Sequence, residues 1–188
     1  MKLTIFAATF LGAAMALANT RPVSGSIQWT GTGVGKAHTG TLKVTQGSIT
    51  MKGKDVVGGE FIMDMNTIDY KNAKLVGHLK SPDFFEVSKF PTAKFVTKSV
   101  TALKGDASGA THQVSGDLTI RDQTHPIAFK VKISEAGDQL RAQGDIVIED
   151  RTKYGIKYNS KKVFDVAKLG DKMIEDEIKL SLDVSTSK

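Results

Sequence analysis

The chain has no cysteine, so no disulfide braces it, no thiolate serves as metal ligand or nucleophile, and no thioether-linked lipid can anchor it. Its 188 residues include four prolines and one tryptophan. Aromatics are 7% of the chain, too sparse for Trp29, Tyr154 and Tyr158 to form a base- or sugar-stacking surface. These three read as core or as the mouth of a pocket. After residue 17 no apolar run is long enough to cross a bilayer as a helix. A net charge of +6 raises nucleic acid as a partner, but the lysines are scattered along alternating stretches such as "FKVKI" and form no dense block. They read as solvated faces, which excludes a nucleic-acid surface and leaves transient contact with a membrane surface open.

Catalytic and metal signatures are missing too. No G-x-S-x-G elbow occurs. His38, His78, His112 and His125 lie far apart without ligand-like pairing. Glu149 and Asp150 are adjacent, so on a strand they point to opposite faces and make no acid/base pair. "GTGVGK", Gly31 to Lys36, has Thr30 and Ala37 where a phosphate loop needs Gly and Ser or Thr. It reads as a bend in a strand. No metal or cofactor is expected.

At the N-terminus, Lys2 precedes an apolar or small-residue run, Leu3 to Leu17, and Ala16-Leu17-Ala18 is a small-x-small cleavage site. Residues 1–18 therefore read as a secretory signal, and 19–188 as one exported domain. Its compartment is a bacterial periplasm, with release to the medium as the other outcome.

Period-two alternation dominates what remains. Phe61, Met63 and Met65 share one face of "EFIMDM", and Ile127, Phe129, Val131 and Ile133 one face of "PIAFKVKI". Leu140, Ala142, Ile146 and Ile148 follow, then Ile174, Ile178, Leu180, Leu182 and Val184 against Glu175, Glu177, Lys179, Ser181 and Asp183. Half-apolar strands of this kind build antiparallel sheets with one wet face. Weaker candidates at Ser26–Gly33, Gly40–Gln46, Ser48–Lys52, Ala93–Leu103 and His112–Arg121 bring the count to eight or nine. Gly47, Gly58-Gly59, "KGDASG" and "EAGD" read as the turns between them. The fold class is all-β, a closed barrel or a sandwich. As a membrane barrel it would place Lys130, Lys132, Glu175, Glu177 and Lys179 in hydrocarbon, which argues against that use.

Two stretches break the period. "NAKLVGHLK" has Leu75, Val76 and Leu79 at helical spacing. "SPDFFEVSKFP" then opens with a helix-start signal at Ser81-Pro82-Asp83 and ends at Pro91. The second stretch, Arg151 to Lys172, is irregular and carries Tyr154, Ile156, Tyr158, Phe164 and Leu169, so it reads as packing against another part of the fold.

At these residues the sequence resembles the YceI-like family of exported lipid-binding proteins, also called polyisoprenoid-binding proteins. "HLKSPDFFEVSKFPTAKF" is similar to the family signature, and "GGEFIMDMNTI" to the strand before it. "VSGDLTIRDQTHPIAFKV" resembles the family hairpin, and "IEDRTKYGIKYN" its aromatic and glycine stretch. The likeness spans most of Ser26–Val184. Asp122 stands where the family hairpin usually has glycine, which leaves the turn type open. The resemblance implies an antiparallel, lipocalin-like barrel of about eight strands with one or two short helices. It also implies an apolar interior for an isoprenoid chain and no catalytic residues.

The expected activity is non-catalytic binding of a polyisoprenoid or similar long apolar lipid, such as an isoprenoid lipid or a quinone, by a monomer or homodimer. The alternative is a hydrolase or isomerase acting on a lipid in the same pocket. Candidate pocket residues are Phe61, Met63, Met65, Phe84, Phe85, Phe95, Leu118, Ile120, Phe129, Ile146, Ile148, Tyr154 and Tyr158. The Phe84/Phe85 segment either seals the barrel or lines its lumen. His78 either orients that segment or donates to a ligand head group.

Overall fold

A computed structural model describes residues 19–187, and the expected signal, residues 1–18, lies outside them. Eight strands run in chain order: β1 (Asn19–Gly33), β2 (Lys36–Lys52), β3 (Asp55–Asp69), β4 (Thr92–Ala102), β5 (His112–Ile120), β6 (Gln123–Ala136), β7 (Gln139–Ile148) and β8 (Ile174–Thr186). Each pairs antiparallel with the next and β8 closes on β1, so the barrel has no free edge and the sandwich is excluded. Alternation sets the register. On β7 and β8, Ala142 opposes Val184, Ile146 opposes Leu180 and Ile148 opposes Ile178, which turns these six apolar residues to the lumen.

Strand ends define two ends of the barrel. The hairpin end carries the tight turn after Lys52, the 103–111 loop and the turn at Gly137. The capped end carries α1 (Ala73–Lys80), segment 81–91, the β5–β6 turn and the 149–173 connection, which includes the single-turn α2 (Val166–Leu169). Asn72 starts α1 by accepting from the backbone N–H groups of Lys74 and Leu75 at 3.0 and 3.2 Å.

Three local expectations are corrected, and the turn type left open at Asp122 is assigned. Gly47 and Gly58-Gly59 are not turns but interior positions of β2 and β3, so Gly40–Gln46 and Ser48–Lys52 are one strand. The Phe61 ring lies against Gly47 and Gly59, where an added Cβ would sit 3.2 and 3.0 Å from it, so these glycines seat a ring. "GTGVGK" is a hairpin turn, with Gly35 at φ 69°. Segment 81–91 is a run of turns and no helix: Ser81 closes α1 by donating to His78 O at 3.1 Å, and Glu86 at φ 48° breaks any continuation. In the β5–β6 hairpin both Arg121 and Asp122 have positive φ, 50° and 59°, which is the type I′ pattern of a two-residue loop.

Candidate functional site

The lumen holds two apolar cavities, of about 110 Å³ at the hairpin end and about 120 Å³ at the capped end. Ile27, Met63, Leu118 and Leu180 line both, so the two meet at a waist of four apolar side chains. The hairpin half is walled by strands, among them Val44, Ile49, Val114, Val131 and Leu182. Three rings line it, with Phe61–Phe95 centroids 6.3 Å apart and Phe95–Phe129 5.4 Å apart. The β3–β4 ladder spans only five pairs, Glu60–Asp64 against Val96–Thr92. Beyond it Val56, Gly58, Thr97 and Val100 face the cavity across a splayed seam.

Space exists because large rings lie on the wall. A Cβ on Gly116 would sit 2.6 Å from the Phe95 ring and 2.3 Å from Val96 O. On Gly40 it would sit 2.4 Å from the Trp29 ring and 2.2 Å from Asp69 O. Each glycine thus receives a ring that would otherwise stand into the lumen.

The capped half is built differently. Phe84 and Phe85 line it from segment 81–91, with Leu79 from α1 and Arg151 and Ile156 from the 149–173 connection. Arg151 is 2% exposed. Its Nε donates to Glu175 O at 3.0 Å, Nη1 to Ile156 O at 3.0 Å, and Nη2 to Tyr158 O at 2.8 Å and Ile174 O at 3.2 Å. Asp176, also buried, places Oδ1 3.6 Å from Arg151 Nη2, and neither of its oxygens accepts a hydrogen bond from a described group. Burial pulls the Arg151 pKa down and the charges of Asp176 and Asp150 push it back up. Arg151 therefore ties the connection to β8, its charge balanced by an inward-facing acid on β8.

Of the sequence candidates, Phe61, Phe95, Phe129 and Ile146 line the hairpin half, and Met65, Phe84, Phe85, Ile120 and Ile148 the capped half. Met63 and Leu118 belong to both. Tyr154 and Tyr158 line neither. Tyr154 is buried at the barrel wall against His125, centroids 5.1 Å apart, beside the contact His125 Nε2–Lys153 O at 3.0 Å. Tyr158 packs on Phe84 from outside, at 5.3 Å. His78 is likewise outside the lumen. Its ring sits edge-on to Phe84 and Tyr158 at 4.9 and 4.8 Å, and Nε2 lies 2.9 Å from Asp83 Oδ2. In that position it orients the turn segment rather than facing a cavity.

Ile27, Trp29, Leu42, Arg151 and Asp176 were not among the candidates. Asp176 had a visible signal, an acid in register with Ile174 and Ile178 on the apolar face of β8. Among the described residues no group of three or more His, Asp or Glu side chains is placed to hold a metal ion.

Comparison with known proteins places this architecture. Protein YceI of Escherichia coli O17:K52:H18 is 31% identical over 121 residues, and that of Salmonella arizonae is 30% identical over 121 residues. Each alignment covers 59% of this chain, and the chain spans 61% of the length of those relatives. Burkholderia cenocepacia BcnA superposes with a TM-score of 0.70 at 15% identity, over 88% of this chain and 96% of that one. A polyisoprenoid binding domain from Saccharophagus degradans superposes with a TM-score of 0.61 at 10% identity, over 89% and 97%. At such identities the structural likeness speaks for the fold. The family model, described as the YceI-like domain, matches residues 19–186, and the chain belongs to that family.

Proposed function

We propose that this protein is an exported, non-catalytic carrier that holds the tail of a long apolar lipid, an isoprenoid lipid or quinone foremost, along the barrel axis. The observation that carries the proposal is the pair of apolar cavities joined through the Ile27, Met63, Leu118 and Leu180 waist. Membership of the YceI-like family and the fold shared with a polyisoprenoid binding domain support the same reading.

Size limits what fits. A dry cavity of about 150 Å³ accepts benzene, with six carbons. Each half of this lumen therefore accommodates about one five-carbon isoprene unit with the side chains as they stand. Two buried units gain roughly 8 kcal/mol, at about 0.8 per methylene-sized group, before the entropy of immobilisation is subtracted. A longer tail needs the waist to move, and Met63, with its flexible thioether, is suited to that. The non-catalytic reading is supported by the mostly apolar lining, which at the capped end also includes Glu175 and Glu177, and by Arg151, four of whose N–H groups already serve carbonyls.

The test is mass spectrometry of gently purified protein, followed by uptake of prenyl lipids of increasing length. The expected result is co-purifying lipid and saturable uptake. Leu118→Trp, which fills the waist at a stability cost of about 1–3 kcal/mol, should weaken long tails far more than single-unit prenyl ligands. No co-purifying lipid together with no saturable uptake by the unaltered protein would overturn the proposal.

A further inference from the structure

The connection between β7 and β8 changes character at Ser160. Before it, Arg151, Tyr154, Ile156 and Ser160 are buried, whereas every residue from Lys161 to Lys168 is exposed. Among these, Val163, Phe164 and Val166 are 44%, 48% and 55% exposed. The backbone holds them in a defined shape. The N–H groups of Val163 and Phe164 donate to Ser160 O at 3.1 and 2.9 Å, Asp165 caps α2 through Ala167 N at 3.0 Å, and Leu169 is buried. Val34, 50% exposed, joins the same end, and its N–H donates to Met173 O at 3.3 Å.

Cations flank these apolar residues along the chain. Arg151 to Lys172 contains seven basic and two acidic residues, in a chain whose net charge is +6. Lys161 and Lys162 pair with Glu175 and Asp150 at 2.8 and 2.7 Å. Among the described residues, Lys153, Lys157, Lys168 and Lys172 have no acidic partner within ion-pair distance, and neither acid of the segment, Asp165 or Asp171, forms an ion pair with them. An exposed apolar tip among unpaired lysines fits a surface that is greasy beneath and negative on top. A second copy of the chain would bring two such cationic collars together, so like charge opposes self-association through this face.

We infer that residues 157–172 dock the protein on an anionic lipid bilayer, with Val163, Phe164 and Val166 entering the head-group region and the unpaired lysines meeting lipid phosphates. The segment borders the capped cavity, since Ile174, two residues after it, lines that cavity. Docking does not depend on what the lumen holds, and lipid uptake can be measured apart from it.

The test is co-sedimentation of the protein with vesicles of phosphatidylcholine alone and of phosphatidylcholine mixed with phosphatidylglycerol. The expected result is binding to the mixed vesicles only, weakened by salt as surface electrostatics are. Lys168→Gln and Lys172→Gln should each lower affinity about fivefold. Phe164→Ser should lower it roughly tenfold. Because the chain has no cysteine, a polarity-sensitive dye on Val166→Cys reads docking independently, and it should shift to the blue on mixed vesicles. Equal binding to phosphatidylcholine alone, undiminished binding by Phe164→Ser, an unmoved dye signal, or burial of the segment in a homodimer would overturn the inference.

Discussion

The two halves of the lumen have nearly equal volumes and similar apolar linings, but different things hold them open. In the hairpin half the wall is strand throughout, and residue alternation alone decides which side chains face inward. In the capped half one side of the wall is irregular chain, held by a buried arginine with four carbonyls and one acid around it. A cavity can thus be closed by repeating pattern or by one polar knot, and the second is the more fragile. Pattern is spread over many residues, whereas the knot fails with one.

Arg151→Met is the sharpest way to break that contrast. It strands Asp176 as a buried charge and leaves four carbonyls without a donor, so we expect a loss of about 3–5 kcal/mol in denaturant unfolding. Adding Asp176→Asn should recover part of the loss by removing the uncompensated charge. Hydrogen exchange should quicken first across residues 151–160, while the β1–β2 and β4–β5 ladders of the hairpin half stay protected. Equal loosening of both halves would refute the division.

A smaller effect tests what the halves share. Gly116→Ala forces the Phe95 ring off the wall in the hairpin half, and Gly40→Ala does the same to Trp29 in the capped half. Each should cost about 1–3 kcal/mol as overpacking. Displaced rings would then occupy the cavities, so uptake of a hydrocarbon probe should fall in both variants. Only Gly40→Ala should also alter tryptophan emission, since the chain has one tryptophan.

The same contrast explains what the sequence made legible. Strands β6, β7 and β8 could be read directly, because period two with one apolar face has few other solutions. In the structure Phe61 and Met63 of β3, Phe129 of β6 and Ile146 of β7 line the lumen, each on the apolar side of an alternating strand. Gly47 and Gly59 misled because a glycine that seats a ring and a glycine that makes a turn look alike in one dimension. Tyr154 and Tyr158 were drawn into the pocket by being aromatic. Their places depend on how the connection folds back, which Arg151 controls through contacts distant in sequence. Phe164 looked equally suited to packing and is exposed, because the backbone at Ser160 turns it outward.

Tyr154 supplies the smallest and last test, at the border between the halves' two modes of closure. It is buried against His125 where the connection meets β6, and burial pushes its phenol pKa above the ordinary value. The folded protein therefore keeps this proton at a pH where the unfolded chain has begun to release it. Stability from this group is complete below the unfolded phenol pKa, near 10, and is lost as pH rises through the higher folded value. Tyr154→Phe should change stability at neutral pH by about 0.5–1 kcal/mol at most and should flatten the alkaline decline above roughly pH 10. Chemical denaturation at neutral and alkaline pH measures both. An unchanged alkaline slope in the variant would mean that Tyr154 ionises as freely in the folded barrel as in the open chain. The connection would then give water access to the wall it is meant to close.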